Sequence, residues 1–187
     1  MDNIINKYIK YIVIISVTSF IISCLITSPK LIEDYWSCLG YAISVTTGIA
    51  TFYVKWGWRW NPLEKTPKFK SEYSGITVSD YNKKERKIKV TIKQNLLSIH
   101  ISMDSEESHS TSISSSIFID HNEATLVYGY LNESKACVRD KSPIHYGMTY
   151  IRINQGVDKL HGIYFTDRRT IGDIYLESTK KNSLAAD

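Results

Sequence analysis

"LHGIYFTDRRTIGDIYL", residues 160–176, holds two short runs of alternating apolar and polar residues around a tight polar connection. Alternation with a period of two marks a half-buried β-strand, and a short polar link between two such runs marks a hairpin. The runs are Lys159–Thr166 and Ile171–Ser178. The same pattern recurs upstream at Lys87–Lys93, Leu97–Met103, Thr111–Asp120, Glu123–Asn132 and Tyr146–Asn154, and Glu72–Ser79 opens the series. Eight short strands at near-regular spacing, with no amphipathic helix between them, indicate an antiparallel barrel or sandwich. An eight-stranded barrel is just wide enough inside to be filled by side chains or to hold one small ligand.

Before this region the periodicity is different. Tyr11–Pro29 and Tyr35–Val54 contain no Asp, Glu, Lys or Arg. Each approaches the roughly 20 residues that an α-helix needs to cross a hydrocarbon core of about 30 Å. The link Ser28–Asp34 is too short for anything but a turn, so the pair reads as a transmembrane helical hairpin. Lys7 and Lys10 precede the first segment, and Lys55, Arg59, Lys65, Lys68 and Lys70 follow the second, whereas the link is slightly acidic. The positive-inside rule then places both ends, and everything after Val54, in the cytoplasm. Trp36, Trp56, Trp58 and Trp60 fall at the segment ends, where indoles favour the interface.

Ile21-Ile22-Ser23-Cys24 supports a rival reading as a lipobox, which would export the rest of the chain. Against it, the apolar run continues past Cys24 and a second span follows almost at once. Of the three cysteines, Cys24 and Cys38 lie in the spans and Cys137 stands alone in the soluble part. No CxxC pair or disulfide framework appears, as suits a reducing compartment.

In an up-and-down barrel, alternate connections fall on opposite ends. The turns near Gln94-Asn95, His121-Asn122 and Gly156 lie at the end where the membrane linker enters. The connections Asp80–Glu85, Asp104–Ser110, Glu133–His145 and Asp167–Thr170 share the other end, and two of them read as long. Functional loops tend to be the elaborated ones on a rigid scaffold. Tyr128, Tyr130 and Asn132 share one strand face and climb toward that end, as do Tyr164 and Thr166, while His145 begins a strand at the same level. The result is a mouth with aromatic faces, hydroxyls and amides inside and Arg168-Arg169 on its rim. Aromatic faces stack nucleobases, and arginine presents a planar fork for phosphate with Ser/Thr hydroxyls as further donors. A compact anion with flat rings, such as a cyclic di- or trinucleotide, suits such a mouth. Ordinary barrel packing for the tyrosines and a solvated turn for the arginines are the competing readings.

The two spans, the Trp-rich exit, "VYGYLNE" (127–133), the isolated His145-x-Gly147 and "LHGIYFTDRRTIGDIYL" together resemble a family. They are similar to the two-transmembrane, β-strand-rich effectors of bacterial CBASS anti-phage operons, found beside CD-NTase enzymes that make cyclic oligonucleotides. The resemblance covers the whole chain. It implies an N-terminal two-helix transmembrane hairpin (1–55), a linker (56–70), an all-β, eight-stranded antiparallel barrel (71–180) and a tail (181–187). It further implies an inner-membrane protein whose cytoplasmic barrel senses a cyclic dinucleotide. Binding would drive homo-oligomerisation and disruption of the bilayer, killing the infected cell. The positions carried over are Tyr128, Tyr130, Asn132, His145, Gly147, Gly162, Tyr164, Thr166, Arg168, Thr170 and Gly172. The candidate ligand contacts among them are Tyr128, Tyr130, Asn132, His145, Tyr164, Thr166, Arg168 and Thr170. The chain departs from the family where Ser71-Glu72-Tyr73-Ser74-Gly75 stands for a frequent Gly-Thr-Trp-Glu-Gly. A residue is also inserted between Gly147 and Thr149.

Other chemistry finds little support. The five histidines lie in different strands and turns without HxH or HExxH spacing, so neither a metal site nor a metal cofactor is expected. Ser108–Ser116 is Ser-rich but contains no nucleophile elbow, and serine is common on solvent-facing strand positions. GxxxxGK and GxGxxG are absent. The chain's net charge of +4 is too small for a binder of polymeric nucleic acid, which would want a dense basic stripe. The expectation is a non-enzymatic, ligand-gated membrane effector. The alternative from another class is a membrane-tethered, lipocalin-like carrier of an apolar molecule, which would want a dry, aliphatic mouth.

Overall fold

The computed structural model describes residues 2–81, 83–120, 123–140, 142–153 and 156–179. The expected turn at His121-Asn122, Lys180 and the tail at 181–187 lie outside the described residues. Two compact units are present, Met1–Pro62 and Leu63–Asp187.

The first unit is a helical hairpin, α1 (Asp2–Thr27) and α2 (Ile32–Lys55). Tyr8–Thr27 and Ile32–Lys55 are long and apolar enough to cross a membrane, at 20 and 24 residues. Asp34 fastens the turn between them, its Oδ2 accepting from the backbone N–H groups of Lys30 (3.1 Å) and Leu31 (3.0 Å). Those donors would otherwise be orphaned at a helix start, and a carboxylate there also suits the helix dipole. On α2 the small residues Cys38, Ala42 and Thr46 are buried, each one turn after the last. Ser16 Oγ donates to Thr46 Oγ1 at 3.3 Å, which ties the two helices side to side. Small residues at such a seam let two backbones approach closely.

The second unit is a closed, eight-stranded, antiparallel barrel in which every strand pairs with its sequence neighbour. Its strands are β1 (Glu72–Ser79), β2 (Glu85–Gln94), β3 (Ile99–Ser105), β4 (Ser108–Asp120), β5 (Glu123–Ser134), β6 (His145–Ile153), β7 (Lys159–Thr166) and β8 (Ile171–Ser178). Closure comes from the pairing of β1 with β8, from Tyr73 opposite Ser178 to Ser79 opposite Gly172. The eight strands and the barrel match the reading of the sequence. One connection does not. The connection placed at Asp104–Ser110 is only residues 106–107, because β3 runs to Ser105 and β4 begins at Ser108. Ser105 makes this tight turn possible by accepting at Oγ from Ser108 N at 2.9 Å. At the mouth, then, the segment 135–144, with its 3-10 turn Ala136–Val138, is the long connection.

The interior changes character along the barrel axis. At the base it is apolar, with Phe69, Tyr73, Val90, Ile92, Ile99, Ile101, Leu126, Ile151, Leu160, Ile174 and Leu176 in one buried cluster. Phe69 belongs to the segment expected as linker, yet only 2% of it is exposed. Its backbone N–H donates to Gln94 Oε1 (3.0 Å), and Gln94 Nε2 donates to Pro67 O (2.8 Å). Tyr73 accepts from Lys70 N (3.0 Å) and donates to Val157 O (2.7 Å). These bonds satisfy backbone groups that the base of the barrel would otherwise bury unpaired. The incoming chain is therefore a stopper for this end of the barrel.

The seam between β3 and β4 is unusual. Three register pairs join these strands near the mouth, Ser102–Thr111, Met103–Ser110 and Asp104–His109. Further along, β4 bulges between Ser112 and Ser114. Serine hydroxyls then take over the ladder's role: Ser112 Oγ accepts from Ile101 N (2.9 Å), and Ser115 Oγ donates to Ile99 O. A hydroxyl can do this because it both donates and accepts.

Removing the stopper should be costly. Phe69→Ala is expected to destabilise the barrel by about 3–5 kcal/mol, the usual cost of deleting a fully buried aromatic. Loss of the β-sheet circular dichroism signal against temperature or denaturant measures it.

Candidate functional site

Which residues line the mouth follows from strand phase. On β5 the inward positions near the mouth are Tyr128, Tyr130, Asn132 and Ser134, all buried. On β6 they are His145, Gly147 and Thr149, and on β7 Tyr164 and Thr166. Six of the eight sequence-derived residues (Tyr128, Tyr130, Asn132, His145, Tyr164 and Thr166) therefore share one inward-facing surface. Thr170, in the β7–β8 turn, joins them through its hydroxyl, which lies 2.6 Å from that of Thr166. Arg168 sits on the rim, where its Nη1 donates to Ser142 Oγ in the long connection at 3.1 Å. Arg169 is exposed and takes up the turn's left-handed position, with φ 62°.

Two glycines set the tyrosines' pose. A Cβ on Gly147 would lie 2.3 Å from the Cζ and Oη of Tyr130, its partner across β5 and β6. A Cβ on Gly172 would lie 2.6 Å from Tyr164 Oη, again across a paired position. Each ring thus packs over the bare backbone of the next strand, and a Cβ on Gly172 would also lie 2.3 Å from Val78 O. Tyr128 and Tyr130 are 6.0 Å apart between centroids with planes tilted by 49°.

Several inward polar residues were not found from sequence. Ser110 and Ser112, read as solvent-facing, are buried. Asn132 Nδ2 donates to Ser108 Oγ (3.0 Å) and Ser110 Oγ (2.8 Å), and the Ser134 hydroxyl lies within hydrogen-bond distance of Asn132 Oδ1 (3.4 Å) and Ser142 Oγ (3.2 Å), with one proton to share between them. This polar chain runs up one wall and ends at Arg168. The overlooked signal was register: Ser110 lies opposite Asn132 and Ser112 opposite Tyr130, so their phase follows from that of β5. Arg86 was also overlooked. It alternates with buried Ile88, Val90 and Ile92 on β2 and so takes the inward phase, next to the mouth. Its guanidinium pairs with Glu107 at 3.4 Å and is close enough to Tyr164 to favour that residue's ionised form. Other histidines point elsewhere: His100, His109 and His161 are exposed on the outer surface, and His121 lies outside the described residues. Among the described residues, no group of three His, Cys, Asp or Glu side chains is arranged to hold a metal ion.

Burial raises the phenol pKa values of Tyr73, Tyr128, Tyr130 and Tyr164, in each case as the largest influence. Tyr130 carries additional repulsion from Tyr128, and the Thr149 hydroxyl partly offsets the effect at Tyr128. A folded-state pKa above the unfolded value means that the neutral phenols favour the fold. Their contribution is complete below about pH 10, the ordinary tyrosine value, and is lost as pH climbs through the raised values. Melting temperature should hold up to pH 9.5 and fall steeply above pH 10 (about the unperturbed phenol pKa). Phenolate absorbance in the ultraviolet should show a subset of tyrosines ionising only as the barrel opens.

The site has the elements of a receptor for a flat, anionic molecule: tyrosine faces, a line of hydroxyl and amide groups, arginines at the rim and a sealed apolar floor. Comparison with known proteins points the same way. Residues 64–178 match the family model described as the Cap15 cyclic dinucleotide receptor domain. The chain is also 29% identical over 188 residues, 96% of its own length and all of the relative's, to CD-NTase-associated protein 15 of Staphylococcus schleiferi. The matched region spans the whole barrel with its stopper, and the chain belongs to the Cap15 cyclic dinucleotide receptor family.

Proposed function

We propose that this protein is a CBASS anti-phage effector: a membrane-anchored receptor whose barrel binds a cyclic dinucleotide at its open mouth and converts binding into membrane damage. The observation that carries the reading is the polarity gradient of the barrel interior. A base packed with aliphatic and aromatic side chains gives way to Ser110, Ser112, Asn132, Ser134, Thr149 and Thr166 toward the mouth. Inward hydroxyls and amides cost stability unless they are hydrogen-bonded. A carrier of apolar molecules would place aliphatic residues there instead. Membership of a cyclic dinucleotide receptor family and likeness to a CD-NTase-associated protein support the ligand class.

In this reading Tyr130 and Tyr164 offer ring faces to the bases, with Tyr128 beneath as support. Asn132, the serine chain and the Thr166–Thr170 pair bond to base edges and sugars, and His145 borders the same space. Arg168 takes one phosphate. Arg86 joins the ligand contacts by taking the second, exchanging Glu107 for it. No residue is assigned a catalytic role, and the ligand is the activating small molecule rather than a cofactor. The partners are the cyclic dinucleotide from a cognate CD-NTase, further copies of the chain and the lipid bilayer.

The hairpin crosses the inner membrane twice and leaves the barrel in the cytoplasm, as the flanking lysines and arginines favour. Residues 1–55 form the membrane hairpin, 56–70 the linker, whose end at Phe69 plugs the sensor at 71–180, and 181–187 the tail. One short hairpin is too small to line a pore, so damage requires several protomers. The ligand can drive assembly only by binding the assembled state more tightly than the free one.

Isothermal titration of cyclic dinucleotides into the detergent-solubilised protein tests the site. Arg168→Ala and Arg86→Ala should each weaken affinity by roughly ten- to a hundredfold, the range for losing a charge-assisted contact to phosphate. Arg169→Ala should leave affinity unchanged, and all three should melt like the parent, since exposed positions rarely shift stability by more than about 0.5 kcal/mol. Unchanged affinity in Arg168→Ala would mean that the turn is only a turn.

Topology and mechanism have separate tests. A C-terminal alkaline phosphatase fusion should be inactive in the periplasmic assay. Deleting residues 1–55 should spare nucleotide binding and abolish toxicity, and a truncated barrel that still killed cells would refute the membrane mechanism.

A further inference from the structure

The hairpin brings together two cysteines that are well separated in the chain. Cys38 is buried on α2, in the same row as Ala42 and Thr46. Its Sγ lies 3.2 Å from Thr27 Oγ1 on α1. Cys24, one turn before Thr27, takes the same face of α1. The thiols of Cys24 and Cys38 are within hydrogen-bond reach of each other. Both are free thiols in this structure, Cys38 only 1% exposed and Cys24 partly so. Cys24 is also the cysteine of Ile21-Ile22-Ser23-Cys24, the motif behind the lipobox reading. Here it meets the other helix from within a continuous α1 that runs on to Thr27.

Depth and local chemistry suit a disulfide. At about 1.5 Å per helical residue, both thiols stand within about 10 Å of the loop that joins the helices. That loop lies at the end away from the flanking lysines and arginines, on the outer side in the topology proposed for the hairpin. Disulfides persist on that side of a membrane and are rare in the cytoplasm. A disulfide needs Cα atoms about 4.4–6.8 Å apart, and a seam of small residues allows such an approach. The Thr27 hydroxyl gives its proton to Ser23 O at 2.8 Å, so the Cys38 S–H donates to Thr27 Oγ1. Once Cys38 loses its proton, the same hydroxyl can turn to bond the thiolate.

We propose that Cys24 and Cys38 are a redox-active pair that closes as a disulfide and staples the outer end of the hairpin. The oxidant is a protein disulfide on the outer side of the membrane. Cys24, the more exposed thiol, attacks one sulfur of that disulfide as its thiolate, forming a mixed disulfide and releasing the oxidant's first thiol. Cys38, deprotonated beside Thr27, then displaces the oxidant's second sulfur from Cys24. The two cysteines lose two electrons and two protons, and the oxidant leaves as a dithiol that has gained both. With the staple closed, the two spans cannot part at that end. The proposal rests on the hairpin's topology only for the side on which the oxidant is found.

The test is thiol counting on the full chain. Cells are quenched in acid to stop exchange, and free thiols are blocked with N-ethylmaleimide. The protein is then reduced, labelled again with the isotopically heavy reagent and weighed intact. Of the three cysteines, Cys137 in the parent should carry the light label, and Cys24 and Cys38 the heavy one. Cys24→Ser and Cys38→Ser should each leave only light labels. Purified, reduced chain in detergent should close the same pair with oxidised glutathione. Thr27→Val should slow that closure roughly two- to tenfold, the effect of losing one hydrogen bond, and Thr27→Ser should not. Heavy label that survives either cysteine substitution, or that falls on Cys137, would overturn the pairing. Failure to close in excess oxidised glutathione would overturn the geometry, and unslowed closure in Thr27→Val would remove Thr27 from its role. Free thiols in cells together with an inactive C-terminal phosphatase fusion would overturn the staple and leave the topology standing. Free thiols with an active fusion would overturn the topology, and closure by glutathione then decides the pair. A cleaved chain beginning at a lipid-bearing Cys24 would overturn both.

Discussion

Closure of the sheet on itself is the constraint from which the other features follow. Pairing β1 with β8 removes both free edges, which would otherwise invite aggregation. It also fixes a narrow interior in which every second residue must be buried, hydrogen-bonded or wetted. At the base the burial is complete, because Phe69 and the Tyr73 and Gln94 hydrogen bonds seat the incoming chain as a stopper. At the mouth no such stopper exists among the described residues, and the inward side chains become hydroxyls, an amide and phenols. The two ends of the tube are thus chemically distinct, one apolar and one polar.

The glycines of the mouth show how closely these roles are joined. Gly147 and Gly172 are places where a β-branched residue would serve a strand better. In each case the missing side chain provides a bed for a tyrosine of the neighbouring strand. The serine-rich β4 makes a comparable exchange, since its hydroxyls replace part of the ladder with β3 and also extend the polar line that reaches Arg168. Family membership gives the barrel as a whole a ligand class.

The sequence alone determined a good deal. Two uncharged segments of spanning length and the switch from helical to two-residue periodicity settled the order of hairpin and barrel, because hydrophobic pattern is dictated by which face is buried. Alternation also sorted Tyr128, Tyr130, Asn132, Tyr164 and Thr166 onto the inner face and assigned the connections to two ends. What only the tertiary structure decided depends on neighbours distant in the chain. Strand alternation cannot tell whether a serine faces water or a lumen, so Ser110 and Ser112 needed the register with β5, and Arg86 needed closure to bring β2 near Tyr164. Composition alone could not distinguish linker from core at Phe69, because its burial is provided by strands that follow it in the chain. Nor could it show that the outward Tyr150 and Phe165 stack on each other, since contact across strands is a property of pairing and not of any single segment.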